Sequence, residues 1–199
     1  MKITAIRQQQ KRKDRYSVYV DEKYAFSLSE SGLIESRLAS GQELTPAELQ
    51  DLKKVAGLDK AYGNALRYVA MRPRSEWELA DYFRRKGIDE EAGKQITERL
   101  RNVGLLDDAA FARTWVSNRR LLKATSKRKL RLELKQKRVP EEIIDQVLAE
   151  DVTDERNVLR ELIAKKRSRY PDRQKLMQYL ARQGFSYDDI KSAIEAEQE

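Results

Sequence analysis

Three stretches decide the fold: SEWELADYFRRKGI at residues 75–88, SKRKLRLELKQKRV at 126–139 and DRQKLMQYLARQGF at 172–185. Each opens on a side chain that can cap a helix, namely Ser75, Ser126 or Asp172. Apolar residues follow at offsets 4 and 8: Leu79 and Phe83, Leu130 and Leu134, Leu176 and Leu180. Positions four apart share one helical face, so each stretch is an amphipathic helix. Offsets 12 and 13 hold Gly87-Ile88, Arg138-Val139 and Gly184-Phe185, a helix stop followed by an apolar anchor.

Working outward, an amphipathic segment precedes each stretch, at 60–71, 109–122 and 155–167, and another follows, at 90–103, 141–148 and 187–196. The spacing therefore predicts three tandem three-helix units. A single unit of this kind cannot bury its own apolar faces, so stacked neighbours must supply the rest of the core. Ahead of them, Ile3 and Ala5, then Tyr16, Val18 and Val20, then Tyr24, Phe26 and Leu28 alternate with polar residues, the last two sets on either side of Asp21-Glu22. This is the pattern of a small antiparallel sheet or hairpin of two or three strands, which must pack on something to be stable. A short helix is expected at 32–38, ending near Gly41. Thr45-Pro46-Ala47-Glu48 supplies a capping box for another helix through about Val55. The expected fold is mainly α: three tandem three-helix repeats forming an elongated, curved solenoid behind an N-terminal β-sheet. The expected divisions are 1–58, 59–106, 107–150 and 151–199.

The 199 residues include no cysteine and no histidine, so thiolate nucleophiles, disulfides, imidazole ligands and histidine bases are all excluded. That composition argues against an enzyme and against a cofactor. Lysine and arginine number 41 against 33 acids, a net charge of +8. Such an excess suits a polyanionic partner, with nucleic acid ahead of an anionic membrane surface. No apolar run approaches the roughly 18–20 residues a membrane span needs, and Met1-Lys2-Ile3-Thr4 opens no signal peptide. A cytoplasmic protein without a membrane partner is expected.

The positive charge is local. Between residues 118 and 138 there are ten basic residues (Arg119, Arg120, Lys123, Lys127, Arg128, Lys129, Arg131, Lys135, Lys137 and Arg138) and one acid, Glu133. The segment carries +9, leaving about −1 on the rest of the chain. Arg128, Arg131, Lys135 and Arg138 are spaced 3, 4 and 3 apart, one helical stripe about 15 Å long. The equivalent positions are Trp77, Ala80, Arg84 and Gly87 in the first unit and Gln174, Met177, Ala181 and Gly184 in the third, so only the middle unit is basic there. A charge run is ordinarily a solvated face. Here crowded like charges call for an anionic partner to offset them.

Other motifs read as structure. The acidic pairs Glu90-Glu91, Asp107-Asp108, Glu141-Glu142 and Asp188-Asp189 fit helix N-termini, where acids complement the dipole. Gly93-Lys94 lacks the spacing and hydroxyl residue of a phosphate loop. Trp77, Trp115, Tyr62, Tyr68 and Phe111 could stack on bases, but Phe111 and Trp115 have core spacing, and a core role is expected for all five, although Trp77 sits outside the Leu79/Phe83 stripe of its helix.

Several stretches resemble the RecX family. They are Ala65-Leu66-Arg67-Tyr68 running into Arg72-Pro73-Arg74-Ser75, Glu78-Leu79, Arg85-Lys86-Gly87-Ile88, and Gly104-Leu105-Leu106-Asp107-Asp108 followed by Phe111-Ala112 and Trp115. Leu130, Glu133-Leu134 and Lys137 resemble the helix of the second repeat in that family. The resemblance spans 59–148 with good specificity and continues more loosely through the third unit; the leader resembles that of longer members. Two departures are Arg138-Val139-Pro140, where a glycine-containing turn is common, and Ala124-Thr125-Ser126, which lacks a glycine often found there. The resemblance implies a monomeric cytoplasmic regulator of the RecA recombinase in recombination, repair and the SOS response. It would lodge in the groove of the RecA–DNA filament, limiting its growth, ATPase and strand exchange, with RecA and single- or double-stranded DNA as partners. Arg72, Arg74, Arg84, Arg85 and Lys86 join the ten basic residues of 118–138 as its expected contacts. The alternative left open by the residues alone is a stand-alone DNA-binding architectural protein.

Overall fold

The computed structural model describes residues 1–196, which form three strands and ten helices in two compact units. One unit comprises Met1–Arg72 with Leu79–Leu105; the other comprises Pro73–Glu78 with the chain from Leu106 onward. The mainly helical fold behind a small sheet is the one the periodicities predict.

In the first unit, β1 (Ile3–Gln8), β2 (Arg15–Val20) and β3 (Lys23–Ser29) form an antiparallel sheet in the order β1-β2-β3. The β2–β3 turn is Asp21-Glu22, both at positive φ (48° and 65°), the backbone that matches the right-handed twist of a tight hairpin. Ile3, Val18, Val20, Phe26 and Leu28 face one side and pack with Leu44, Leu49 and Ala56. Helix α1 (Glu30–Glu35) follows, capped by Ser29 and ending short of the predicted Leu38.

Helix α2 (Pro46–Ala70) corrects the sequence reading. Thr45 and Glu48 form both bonds of the expected capping box, but the helix runs 25 residues, joining the segments predicted separately at 46–55 and 60–71. The division expected at 58/59 therefore falls inside one helix. Gly57 and Gly63 in its interior each disfavour helix by about 1 kcal/mol relative to alanine. Tertiary contacts offset this: Leu49 and Ala56 join the sheet core, and further along the helix packs against α4 (Glu90–Asn102). Between these regions Asp59 ties helix to sheet. Its carboxylate pairs with Arg15 at 3.0 Å and accepts from the Ser29 N–H at 2.9 Å and from the Ser29 hydroxyl. Arg15 is only 3% exposed and also donates to the Ser27 carbonyl at 2.8 Å.

Helix α3 (Glu76–Lys86) starts in the second unit and continues in the first. The second unit then holds α5 (Asp108–Leu122), α6 (Lys127–Gln136) and α7 (Glu141–Glu150), followed by α8 (Glu155–Arg167), α9 (Arg173–Arg182) and α10 (Tyr187–Ala196). Two cores lie side by side in the sequence. Leu130, Leu134 and Val139 meet Phe111, Ala112, Val116 and Ile144, while Leu176, Leu180 and Phe185 meet Leu159, Ile163, Ile190 and Ile194. Offsets 4, 8 and 13 of the repeat thus supply the buried anchors of both.

Two hydrogen bonds recur where consecutive repeats meet. The backbone N–H at offset 1 donates to the carboxylate that begins the first helix of the next repeat: Glu76 to Asp108 at 2.8 Å, and Lys127 to Glu155. The serine at offset 0 donates to the carbonyl at offset 11 of the next repeat, from the Ser75 hydroxyl to Lys137 at 2.9 Å and from the Ser126 N–H to Gln183 at 3.2 Å. Gly184 comes so close that a Cβ there would collide with Ser126 Oγ and Lys129 Cβ.

Replacing Asp59 with alanine leaves the Arg15 guanidinium buried without its counter-charge, which costs about 3–5 kcal/mol. We expect urea unfolding of the Asp59→Ala protein to show that loss; a loss under about 1 kcal/mol would mean the pair is not what holds the sheet to α2.

Candidate polyanion interface

The basic run begins in the last turn of α5, crosses residues 123–126 and fills α6. Most of its charges are already engaged. Arg119 donates to Glu133 at 2.7 Å and its guanidinium lies 4.8 Å from the centre of the Trp115 ring, whose Nε1 donates to the same carboxylate at 2.8 Å. Lys137 approaches that ring to 5.3 Å and pairs with Glu78 at 2.8 Å. Glu133, the one acid of the run, thus fixes a half-buried indole among cations. Arg120 pairs with Asp151 at 2.6 Å and donates to the Thr125 carbonyl, while Lys127 Nζ donates to the Asp151 carbonyl at 2.6 Å. Lys129 Nζ donates to the Arg182 carbonyl at 2.9 Å and to Gln183 at 3.0 Å, both neutral acceptors.

The expected stripe is only partly a stripe. Arg128, Arg131 and Lys135 lie on α6, but that helix ends at Gln136 and Arg138 sits beyond it at φ +55°. The like charges are offset within the chain: Arg131 pairs with Glu141 and Asp145 at 2.5 Å each, and Lys135 pairs with Glu141 at 2.9 Å. The Lys135 hydrogen bond leads in holding the Glu141 carboxyl below the usual range, and the bonds that Arg131 donates to Asp145 and Glu141 raise the guanidinium. Among the described residues Lys123, Arg128 and Arg138 are exposed and make no ion pair. In the first unit Arg84 and Arg85 share Asp81, and Lys86 is exposed beside them; Arg72 and Arg74 also have interaction partners.

The acidic pairs act largely as predicted. Asp107 caps α5 by accepting from the Ala109 and Ala110 N–H groups, while Asp108 serves the start of α3. Trp115 and Phe111 pack in the core with ring centres 5.8 Å apart, Tyr68 stacks on Tyr82 at 4.3 Å, and the Arg99 guanidinium covers Tyr62 at 4.0 Å. Trp77 departs from the expectation, being 43% exposed. It stands two positions from Leu79, about 200° round the helix from the buried stripe.

Sequence reasoning misses a cleft of about 590 Å³ between α6 and the start of α10, walled by Arg128, Leu132 and Gln136 on one side and Arg182 and Tyr187 on the other. The signal was in the repeat: offset 15 is Glu90 and Glu141 in the first two units and Tyr187 in the third.

Comparison with known proteins places this surface in context. Residues 1–45 match the regulatory protein RecX N-terminal domain; 61–100, 107–148 and 154–194 match the first, second and third three-helix domains of RecX. The chain is 39% identical over 146 residues to the regulatory protein RecX of Lactobacillus delbrueckii subsp. bulgaricus, covering 73% of this chain and 54% of that one. It is 35% identical over 156 residues to that of Listeria innocua, covering 77% and 57%. It therefore spans just over half the length of the curated relatives it matches. A crystal structure of regulatory protein RecX superimposes with a TM-score of 0.76 at 32% identity, covering 96% of this chain and 98% of the other. The crystal structure of RecX from Lactobacillus salivarius gives 0.61 at 26% identity, covering 70% and 95%.

Two outcomes follow from this geometry. A non-glycine residue in the left-handed region costs roughly 1–2 kcal/mol, of which glycine's greater freedom when unfolded returns about 0.5–1. Arg138→Gly should therefore raise thermal stability by about 0.5–1 kcal/mol while weakening binding to polyanions; lower stability, or unaltered heparin affinity, would contradict it. For Asp151, burial raises the carboxyl, but hydrogen bonds from Thr153 and Arg120 outweigh it and leave it lowered. A lowered carboxyl stabilises in full above the ordinary aspartate value of about 3.9 and ceases to as pH falls through its own lower value. The melting-temperature gap between the natural protein and Asp151→Asn should be present at neutral pH and shrink on acidification below that range.

Proposed function

Because the chain belongs to the RecX family, we propose that it regulates RecA. In this reading it lodges in the groove of the RecA filament on single-stranded DNA and limits filament growth, ATP hydrolysis and strand exchange in recombination and DNA repair. The observation that carries the reading is the agreement along the whole chain: the N-terminal domain and three three-helix domains of RecX match in order, and 32% identity to a solved RecX extends over 96% of the chain.

The proposed mode is binding without chemistry of its own, as a cytoplasmic monomer. The electrostatics narrow which residues meet the partners. Arg131 and Lys135 pair with acids of α7, and Arg119, Arg120 and Lys137 brace the second unit. Lys123, Arg128 and Arg138 keep whole charges exposed, so they are the first contacts within the basic run for phosphate or for acidic RecA side chains.

Substoichiometric protein added to RecA polymerising on single-stranded DNA should lower the rate of ATP hydrolysis. Unchanged hydrolysis at saturating protein would sink the regulator reading; a gel shift of DNA under those same conditions would then favour the stand-alone DNA-binding protein.

A further inference from the structure

We propose that the cleft between α6 and α10 is a site for single-stranded DNA, with a base stacking on Tyr187 and the flanking phosphates meeting Arg128 and Arg182. The proposal deepens the regulator reading and rests on it for its setting, since it places the DNA contact away from the Arg131–Lys135 side of α6.

The argument starts from exposure. Tyr187 is 67% exposed at the first position of α10 and Leu132 is 54% exposed on the facing wall, so ring and aliphatic side chain present apolar surface within a polar rim. Arg128 and Arg182 are both exposed and make no ion pair among the described residues; Arg182 donates only to the backbone carbonyl of Gln178, at 3.3 Å. Lys129 also lines the cleft and keeps its charge, since its partners there are neutral. The one acid of the lining, Glu133, is already bound by Arg119 and Trp115. Asp188 and Asp189 follow Tyr187 but do not line the cleft.

An acidic protein segment would be satisfied by the cations alone. An exposed ring in a cleft with two guanidinium groups that make no ion pair instead matches a chain in which flat bases alternate with phosphates, the combination used on single strands. A volume of about 590 Å³ can hold a nucleotide unit. A duplex keeps its bases stacked inside and cannot offer one to the tyrosine.

The test uses the full chain without RecA and fluorescence anisotropy of a labelled oligothymidylate, free and annealed to its complement, across a salt series. Tyr187→Ala should weaken single-strand binding about tenfold, leave duplex binding within about twofold and leave circular dichroism unchanged, whereas Tyr187→Phe should bind like the natural protein. Arg128→Ala and Arg182→Ala should each flatten the log–log salt dependence by about 0.7. Equal loss on both DNAs, or unchanged single-strand affinity in Tyr187→Ala, would overturn the site. So would a Tyr187→Ala protein that binds DNA normally but binds RecA filaments weakly, which would assign the cleft to an acidic protein segment. Inhibition of RecA by the natural protein is scored separately, so the site can fail while the regulator reading stands.

Discussion

The backbone N–H groups that open α3 and α6 are the constraint on which the second unit depends. A helix leaves its first N–H groups without intrahelical acceptors, and a buried one must find a partner. Ser75 and Ser126 satisfy part of this need by capping, and both are almost fully buried. The next N–H finds its acceptor outside its own repeat, in Asp108 or Glu155. A carboxylate at that place also complements the helix dipole. Because each acceptor begins the following repeat's first helix, satisfying the donor fixes where that helix starts relative to its predecessor. Apolar burial supplies most of the driving force, but it is tolerant of sliding; a directional bond at a helix end is not.

The same junctions explain where much of the positive charge goes. Offset 3 meets the turn of the next repeat in both cases, with donor and acceptor roles exchanged: Glu78 accepts from Lys137, whereas Lys129 donates to Gln183 and to the Arg182 carbonyl. Arg120 reaches Asp151 and Lys127 reaches its carbonyl, at side-chain exposures of 12% and 8% for the Arg120–Asp151 pair. A local excess of nine positive charges therefore overstates the field offered to a partner. Many of those cations hold repeats together, and the remainder are few and specific.

Periodicity carried most of the fold because burial at offsets 4 and 8 of every repeat, and at 13 of the last two, is imposed by one repeated packing problem. Two features escaped it for physical reasons. The continuity of α2 depends on contacts with the sheet and α4, which outweigh two interior glycines and leave no trace in local propensity. The counter-ions of Arg131 and Lys135 lie across a turn on another helix, so a count along α6 finds crowded like charge where the folded chain has pairs. Where the positive charge concentrates was legible in the candidate interface; which cations are spoken for was not, because that depends on Glu78, Glu141, Asp145 and Asp151, outside the basic run.

The exchange of glutamate for tyrosine at offset 15 becomes intelligible when offsets 5, 9 and 15 are taken together. In the second repeat Glu141 neutralises the cations at offsets 5 and 9, Arg131 and Lys135. In the third repeat those offsets hold Met177 and Ala181, which need no counter-ion. With those two cations gone, offset 15 is released from the duty that Glu141 performs in the second repeat. Tyr187 then faces the preceding repeat across the cleft, where Arg128 has no acid of its own. A position that closes a charge pair within one repeat is thereby opened, in the next, toward a cation that remains unpaired. Divergence at these three offsets in this way replaces a surface that neutralises itself with one that faces an unpaired cation, without altering any buried anchor of the repeat.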